Sequence, residues 1–129
     1  MICKLALAPS QVNTNDIQFI KSHKTIHIIY STSKMKLTSL NIVVPIKPYS
    51  VGYYPLRYIN KGLTAQLEKL EYSIIHKWNT LKHPVYRITK DIHSFLNTAP
   101  KSMTSLIIEI IGIWETRFQY GVIFKVGSI

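Results

Sequence analysis

The stretch LTAQLEKLEYSIIHKW, residues 63–78, carries two periods at once. Leu63, Leu67, Leu70 and Ile74 recur at helical spacing. Leu70, Tyr72, Ile74, His76 and Trp78 alternate as one face of a strand. Taken as a strand, the stretch completes a β-α-β-β-α-β order, so the fold depends on which period governs.

Upstream, Leu40 to Ile46 (LNIVVPI) is strongly strand-like. Pro45 and Pro48 cannot donate to a ladder, which predicts an edge strand or an extended arm there. Residues 49–61 are rich in Tyr, Pro and Gly and read as a protruding loop or ribbon. Residues 2–8 alternate as a short strand ended by Pro9. Asn13, Thr14, Asn15 and Asp16 offer helix N-caps, and Ile17, Ile20, His23, His27 and Tyr30 follow at helical spacing. Residues 15–34 are therefore expected to be helix, although the β-branched run from Thr25 to Tyr30 also suits a strand.

Downstream, Val85, Ile88, Ile92, Phe95 and Leu96 predict an amphipathic helix over 85–96, stopped by Asn97 and Pro100. Ser105 to Ile113 is apolar on both faces, as in a central strand covered on both sides. Phe118, Tyr120, Val122, Phe124 and Val126 alternate with Arg117, Gln119 and Lys125, predicting a further strand after a turn at 114–116. The expected architecture is α+β, a ferredoxin-like split βαβ (βαββαβ). Two helices lie on one face of a four-stranded sheet, with an extended basic loop and an extra C-terminal strand. Residues 1–111 form one domain with an arm at about 45–62, and 112–129 are a C-terminal extension.

Composition narrows the partners. The 129 residues include 16 Lys and Arg against six Asp and Glu, a formal charge of +10. Such a surface attracts polyanions, so nucleic acid or an anionic membrane is the first partner to consider. The longest apolar run, Leu106 to Trp114, falls short of the ~20 residues of a spanning helix and contains Glu109. Opposite the apolar face of 85–96 lie only Arg87 and Lys90, too few for an interfacial membrane helix. The single cysteine, Cys3, excludes an internal disulfide. Frequent Ile, Lys, Asn and Tyr fit an AT-rich genome such as an organelle's.

The centre of the chain resembles a known family. Val44-Pro45-Ile46-Lys47-Pro48, Tyr54-Pro55-Leu56-Arg57, Asn60-Lys61, Gln66-Leu67-Glu68 and His76-Lys77 are similar to the motifs of the small-subunit ribosomal protein S10 family. These are a GPIPLPT strand, a VLRSPH turn, an NK pair, a QFE or QYE strand and a THKR-like segment. Thr89 to Leu96 is similar to the family's TxDALxxL helix, and Pro100 to Ile110 to its PAGVDVEI strand. The match covers about residues 40–111. It departs at Tyr58-Ile59-Asn60, where the family has Ser-Pro-His, and at Val44, where it has glycine. The resemblance implies a divergent organellar member that binds ribosomal RNA in the head of the small subunit beside neighbouring ribosomal proteins. Mitochondrion is preferred to plastid. It also implies a strand at Gln66–Trp78 paired with residues near Leu56.

The residues support an RNA arm without the family name. Proline fixes φ in advance, so an arm bearing it loses little entropy on docking. Lys47, Arg57 and Lys61 can neutralise phosphates, and Tyr49, Tyr53, Tyr54 and Tyr58 can stack on splayed bases. Asn60 completes the expected RNA-binding set. An alternative is a protein-interaction subunit of a large organellar assembly that binds no RNA. Its partner-binding residues are Phe118, Tyr120 and Phe124 on an edge strand. No enzymatic constellation is found. His23 and His27 lack a third metal ligand, the five glycines are scattered, and the acids are single. Neither a cofactor nor a small-molecule substrate is expected.

Overall fold

The computed structural model describes residues 6–51, 54–78, 80–98 and 103–128. Alternating isoleucines build its centre. Strand β5 (Leu40–Pro45) pairs antiparallel with β9 (Ser105–Glu115), from Leu40↔Ile110 to Pro45↔Ser105. Leu40, Ile42, Val44, Leu106, Ile108 and Ile110 point to one face and are wholly buried. The opposite face, at Val43, Ile107 and Glu109, is half-buried. Burying each large side chain on the inner face is worth about 1.5–3 kcal/mol, so this pair of strands is the stable heart of the molecule.

The sheet grows outward from this pair. Short β1 (Ala6–Leu7) runs parallel to β5. On the far side of β9 lies β10 (Gln119–Ser128), followed by β8 (His83–Val85), which pairs only with Gln119–Gly121. A bulge in the β9–β10 ladder leaves Ile111 without a partner between Ile110↔Phe124 and Gly112↔Ile123. Beyond it, β9 also pairs with β3 (Thr25–Ser31) at Ile26↔Ile113 and His27↔Gly112. Strand β3 brings β2 (Ile17–Ser22) and β4 (Lys36–Leu37), giving eight strands in all among the described residues. Gly112 permits the β3–β9 contact, because a Cβ there would collide with the Ile26 carbonyl oxygen.

Two helices cover the isoleucine face. Helix α1 (Lys61–Trp78) buries Leu67, Leu70, Glu71, Ile74 and Ile75, and α2 (Ile88–Thr98) buries Ile88, Ile92 and Leu96. Both meet β10, where the Tyr120 hydroxyl donates to the Ile75 carbonyl at 3.4 Å. The architecture is thus α+β, with two helices on a mixed sheet.

Three expectations are corrected in detail. Residues 15–34 form no long helix. A 3₁₀ turn at Thr14–Asp16 leads into the β2–β3 hairpin. The β-branched run decides this, because Ile17, Ile26, Ile28 and Tyr30 fill one buried face at period two. The two-residue loop His23-Lys24 is made by His23 in the left-handed region, φ 54°. Residues 63–78 are helix rather than strand. Leu67, Leu70 and Ile74 are buried, whereas Tyr72 and His76, required by the strand face, are exposed. Asn60 starts the helix, its side-chain oxygen accepting the Gly62 N–H at 2.7 Å. Finally, the sheet has eight strands, not four, and β8 and β9 run antiparallel to each other on either side of β10. The split-βαβ order is therefore not the one seen. Strand β9 also crosses position 111 without a break, and β10 adds Tyr120 and Val122 to the core. Ile113, Phe124 and Val126 pack with the same core.

One buried acid ties the helices together. Glu71 is 3 % exposed, and its carboxylate accepts the backbone N–H of Arg87 at 2.8 Å and of Ile88 at 3.3 Å. It caps the start of α2 from α1, where negative charge meets the positive end of the helix dipole. Burial pushes its pKa above the usual carboxylate value, and the two N–H bonds oppose that shift.

Candidate nucleic-acid interface

The segment between β5 and α1 is a two-stranded ribbon outside the main sheet. Strand β6 (Lys47–Val51) pairs antiparallel with β7 (Tyr54–Tyr58), from Lys47↔Tyr58 to Val51↔Tyr54. An isolated hairpin is marginal in water, so its ends must be held. Both are. Ile46 and Ile59 flank the ribbon and are buried at 8 % and 7 % exposure, and the Ile46 N–H donates to the Thr104 carbonyl at 2.9 Å. Backbone of β7 also lies near α2.

The register sorts the expected RNA-binding residues. Lys47 and Tyr58 stand opposite each other, as do Tyr49 and Leu56, and Val51 and Tyr54. Cross-strand partners share a face, and alternate residues share it along each strand. Lys47, Tyr49, Tyr54 and Tyr58 therefore occupy one face. Arg57, opposite Pro48, occupies the other. Tyr53 lies outside the described residues. Lys61 is exposed at the first position of α1, whose first turn holds no acid. A cation there gains nothing from the helix dipole, so its placement is not explained by helix stability. Asn60 is exposed, and its side chain and carbonyl are already committed to capping α1, accepting from Gly62 and Thr64.

The expected partner-binding residues separate. Tyr120 is 3 % exposed and belongs to the core, and Phe124 packs against it half-buried. Both follow the inner face of β10, which the period-two reading detected but assigned to a partner. Phe118 lies before β10, in the β9–β10 turn, 71 % exposed, with the Arg117 guanidinium carbon 5.2 Å from its ring centroid. Of the three, Phe118 is by far the most exposed.

A second aromatic surface escaped the sequence reading. Tyr72 and Tyr86 are 54 % and 45 % exposed and stack at 6.2 Å with an interplanar angle of 12°. His76 lies 3.9 Å from the Tyr72 ring and hydrogen-bonds the Tyr86 hydroxyl at 3.2 Å. Its signal was the i, i+4 spacing of Tyr72 and His76, visible only once 63–78 is taken as helix.

The chemistry elsewhere is sparse. Among the described residues no three His, Cys, Asp or Glu side chains gather as a metal site, and no helix is long and apolar enough to cross a membrane. The hollow beside the 3₁₀ turns is lined by the polar side chains of Ser10, Asn13, Thr14, Gln66, Lys69 and Ser73. No family model, curated protein or solved structure matches this chain.

Proposed function

We propose that the chain is a structural RNA-binding protein, a constituent of the small subunit of an organellar ribosome, and that it acts without catalysis. The ribbon grips ribosomal RNA in the subunit head, and neighbouring ribosomal proteins pack around it. Mitochondrion precedes plastid as the compartment. The observation that carries the reading is a tyrosine-rich cationic ribbon, pinned at both ends and separate from the main sheet, in a chain of charge +10. Lys47, Arg57 and Lys61 supply phosphate contacts, and Tyr49, Tyr54 and Tyr58 supply ring faces for unpaired bases.

The S10-like motifs support the reading only in part. Val44 to Lys61 spans β5, the ribbon and the start of α1, while Thr89–Leu96 and Ser105–Ile110 fall on α2 and β9, a helix and a strand as in the family. Helix α1 stands where the family has a strand, so the proposal rests on the ribbon and the charge rather than on a split-βαβ core.

A tagged chain expressed in its organelle is expected to sediment with small-subunit RNA and to crosslink to it through residues 47–61. Sedimentation with a protein assembly free of RNA crosslinks would instead support the protein-interaction reading. That alternative has one observation in its favour: β10 pairs with β8 only over Gln119–Gly121, so Val122–Ser128 has a described strand on one side alone.

A further inference from the structure

The ribbon marks one end of the molecule, and a second set of cations marks the other. Glu115 closes β9 at this far end. The Trp78 indole N–H donates to it at 2.7 Å and the Lys82 ammonium at 2.9 Å. These two bonds, with weaker help from the charge of Lys21, hold its carboxyl below the ordinary range. Lys24 sits in the β2–β3 loop just beyond Lys21, and Arg117 in the β9–β10 turn just beyond Glu115. Lys82 and Lys21 thus act on one acid, and Lys24 and Arg117 stand in the loops next to their strands.

Two apolar side chains stand uncovered among them. Leu81 is fully exposed and Phe118 is 71 % exposed. The His83 N–H donates to the Phe118 carbonyl at 2.8 Å, which fastens their two loops together. Neither residue serves the core. The Arg117 guanidinium beside the Phe118 ring makes a cation–π contact that fixes a charge next to an aromatic face.

We propose that this end is a second RNA contact, in which Lys21, Lys24, Lys82 and Arg117 take phosphates and Phe118 stacks on an unpaired base. The inference rests on the RNA reading of the chain and adds a site that the ribbon does not include. A base plane and a phosphate together need a ring face beside a cation, and Phe118 with Arg117 supplies both. A bilayer fits less well. Sinking the Phe118 ring into hydrocarbon would draw the Arg117 charge with it, at a steep cost.

The two contacts are held apart by a rigid strut. Helix α1 starts at the ribbon and ends at Trp78, which bonds Glu115. Its 18 residues give a separation of about 27 Å at ~1.5 Å per residue. One RNA long enough to span that distance engages both, and the second contact is then intramolecular.

Fluorescence anisotropy of the full chain with a labelled, partly single-stranded RNA tests this across a range of salt. One variant removes the far-end charge (Lys21→Gln, Lys24→Gln, Arg117→Gln), keeping Lys82 so that Glu115 stays paired. A second removes the ribbon charge (Lys47→Gln, Arg57→Gln, Lys61→Gln), and a third is Phe118→Ser. Circular dichroism confirms the fold of each. The far-end variant is expected to bind about tenfold more weakly, with a salt slope shallower by roughly two to three. Phe118→Ser loses about fivefold on unpaired RNA and nothing on a blunt duplex. If only the ribbon variant loses affinity, the far-end proposal is overturned and the ribbon reading stands. If only the far-end variant loses it, the reverse holds, and if neither does, both fail. Loss of binding to phosphatidylserine vesicles by the far-end variant, with RNA affinity unchanged, overturns the proposal in favour of a membrane.

Discussion

The isoleucine core and the ribbon are joined at Ile46 and Ile59 and built on opposite terms. In the core, β5, β9, β10 and the two helices meet through side chains that exclude water, and the one acid among them, Glu71, has its charge met by backbone N–H groups. In the ribbon, ten described residues between Lys47 and Tyr58 include three tyrosines, two prolines and two cations, and pair only with each other. The lesson is a division of labour. Apolar burial is concentrated in the sheet and helices, and the ribbon proposed to contact RNA is attached to them by two buried anchors, Ile46 and Ile59. Substitutions in one region should leave the property of the other untouched.

The largest effect is expected at the β3–β9 crossing. Gly112→Ala drives a methyl into the Ile26 carbonyl, and only backbone movement can relieve it. A loss of about 3 kcal/mol is expected, read as a fall in Tm of roughly 10 °C. Gly121→Ala, whose methyl meets the Trp114 ring at 2.8 Å, should cost about 1 kcal/mol because a side chain can turn aside. Equal costs would break the claim that the crossing is rigid.

Next comes the cap that Glu71 provides. Glu71→Ala leaves the Arg87 and Ile88 N–H groups without their acceptor and is expected to cost about 2 kcal/mol in urea unfolding. Glu71→Gln keeps an acceptor and removes the titration. Because the folded pKa is raised, the folded state holds its proton at higher pH than the unfolded state does. Wild-type stability from this group is full below the usual 4.5 and declines as pH rises through the raised value. The Gln variant should therefore gain on wild type over that interval. A gap that stays constant with pH would show that burial of the charge carries no cost.

The smallest effect lies in the β2–β3 loop. His23→Gly relieves a left-handed residue, φ 54°, and should add about 0.5–1 kcal/mol without altering RNA affinity.

Much of the fold could be seen in the sequence, because burial and period agreed. LNIVVPI is β5, the run 105–113 lies in β9, the alternation 117–126 is most of β10, and Ile88, Ile92 and Leu96 form the buried stripe of α2. The failures fell where two periods competed. At 63–78 a single polar residue, Asn60, and the position of the core chose helix. At 17–31 the turn is made by His-Lys, with neither the Gly nor the Asn that signals a hairpin, so Asn13 to Asp16 looked like a helix start. The ribbon was legible from its prolines and tyrosines. The far-end cluster was not, since Lys21 and Lys82 approach Glu115 only after the sheet has formed.

The most direct test of the ribbon's role replaces residues 48–57 with a short Gly-containing turn, retaining Ile46, Ile59 and Asn60. RNA affinity and its salt dependence are then compared with wild type alongside Tm. The account predicts an unchanged Tm, an affinity about tenfold lower and a shallower salt slope. Wild-type RNA binding in the ribbonless chain, or a collapse of Tm, would contradict it.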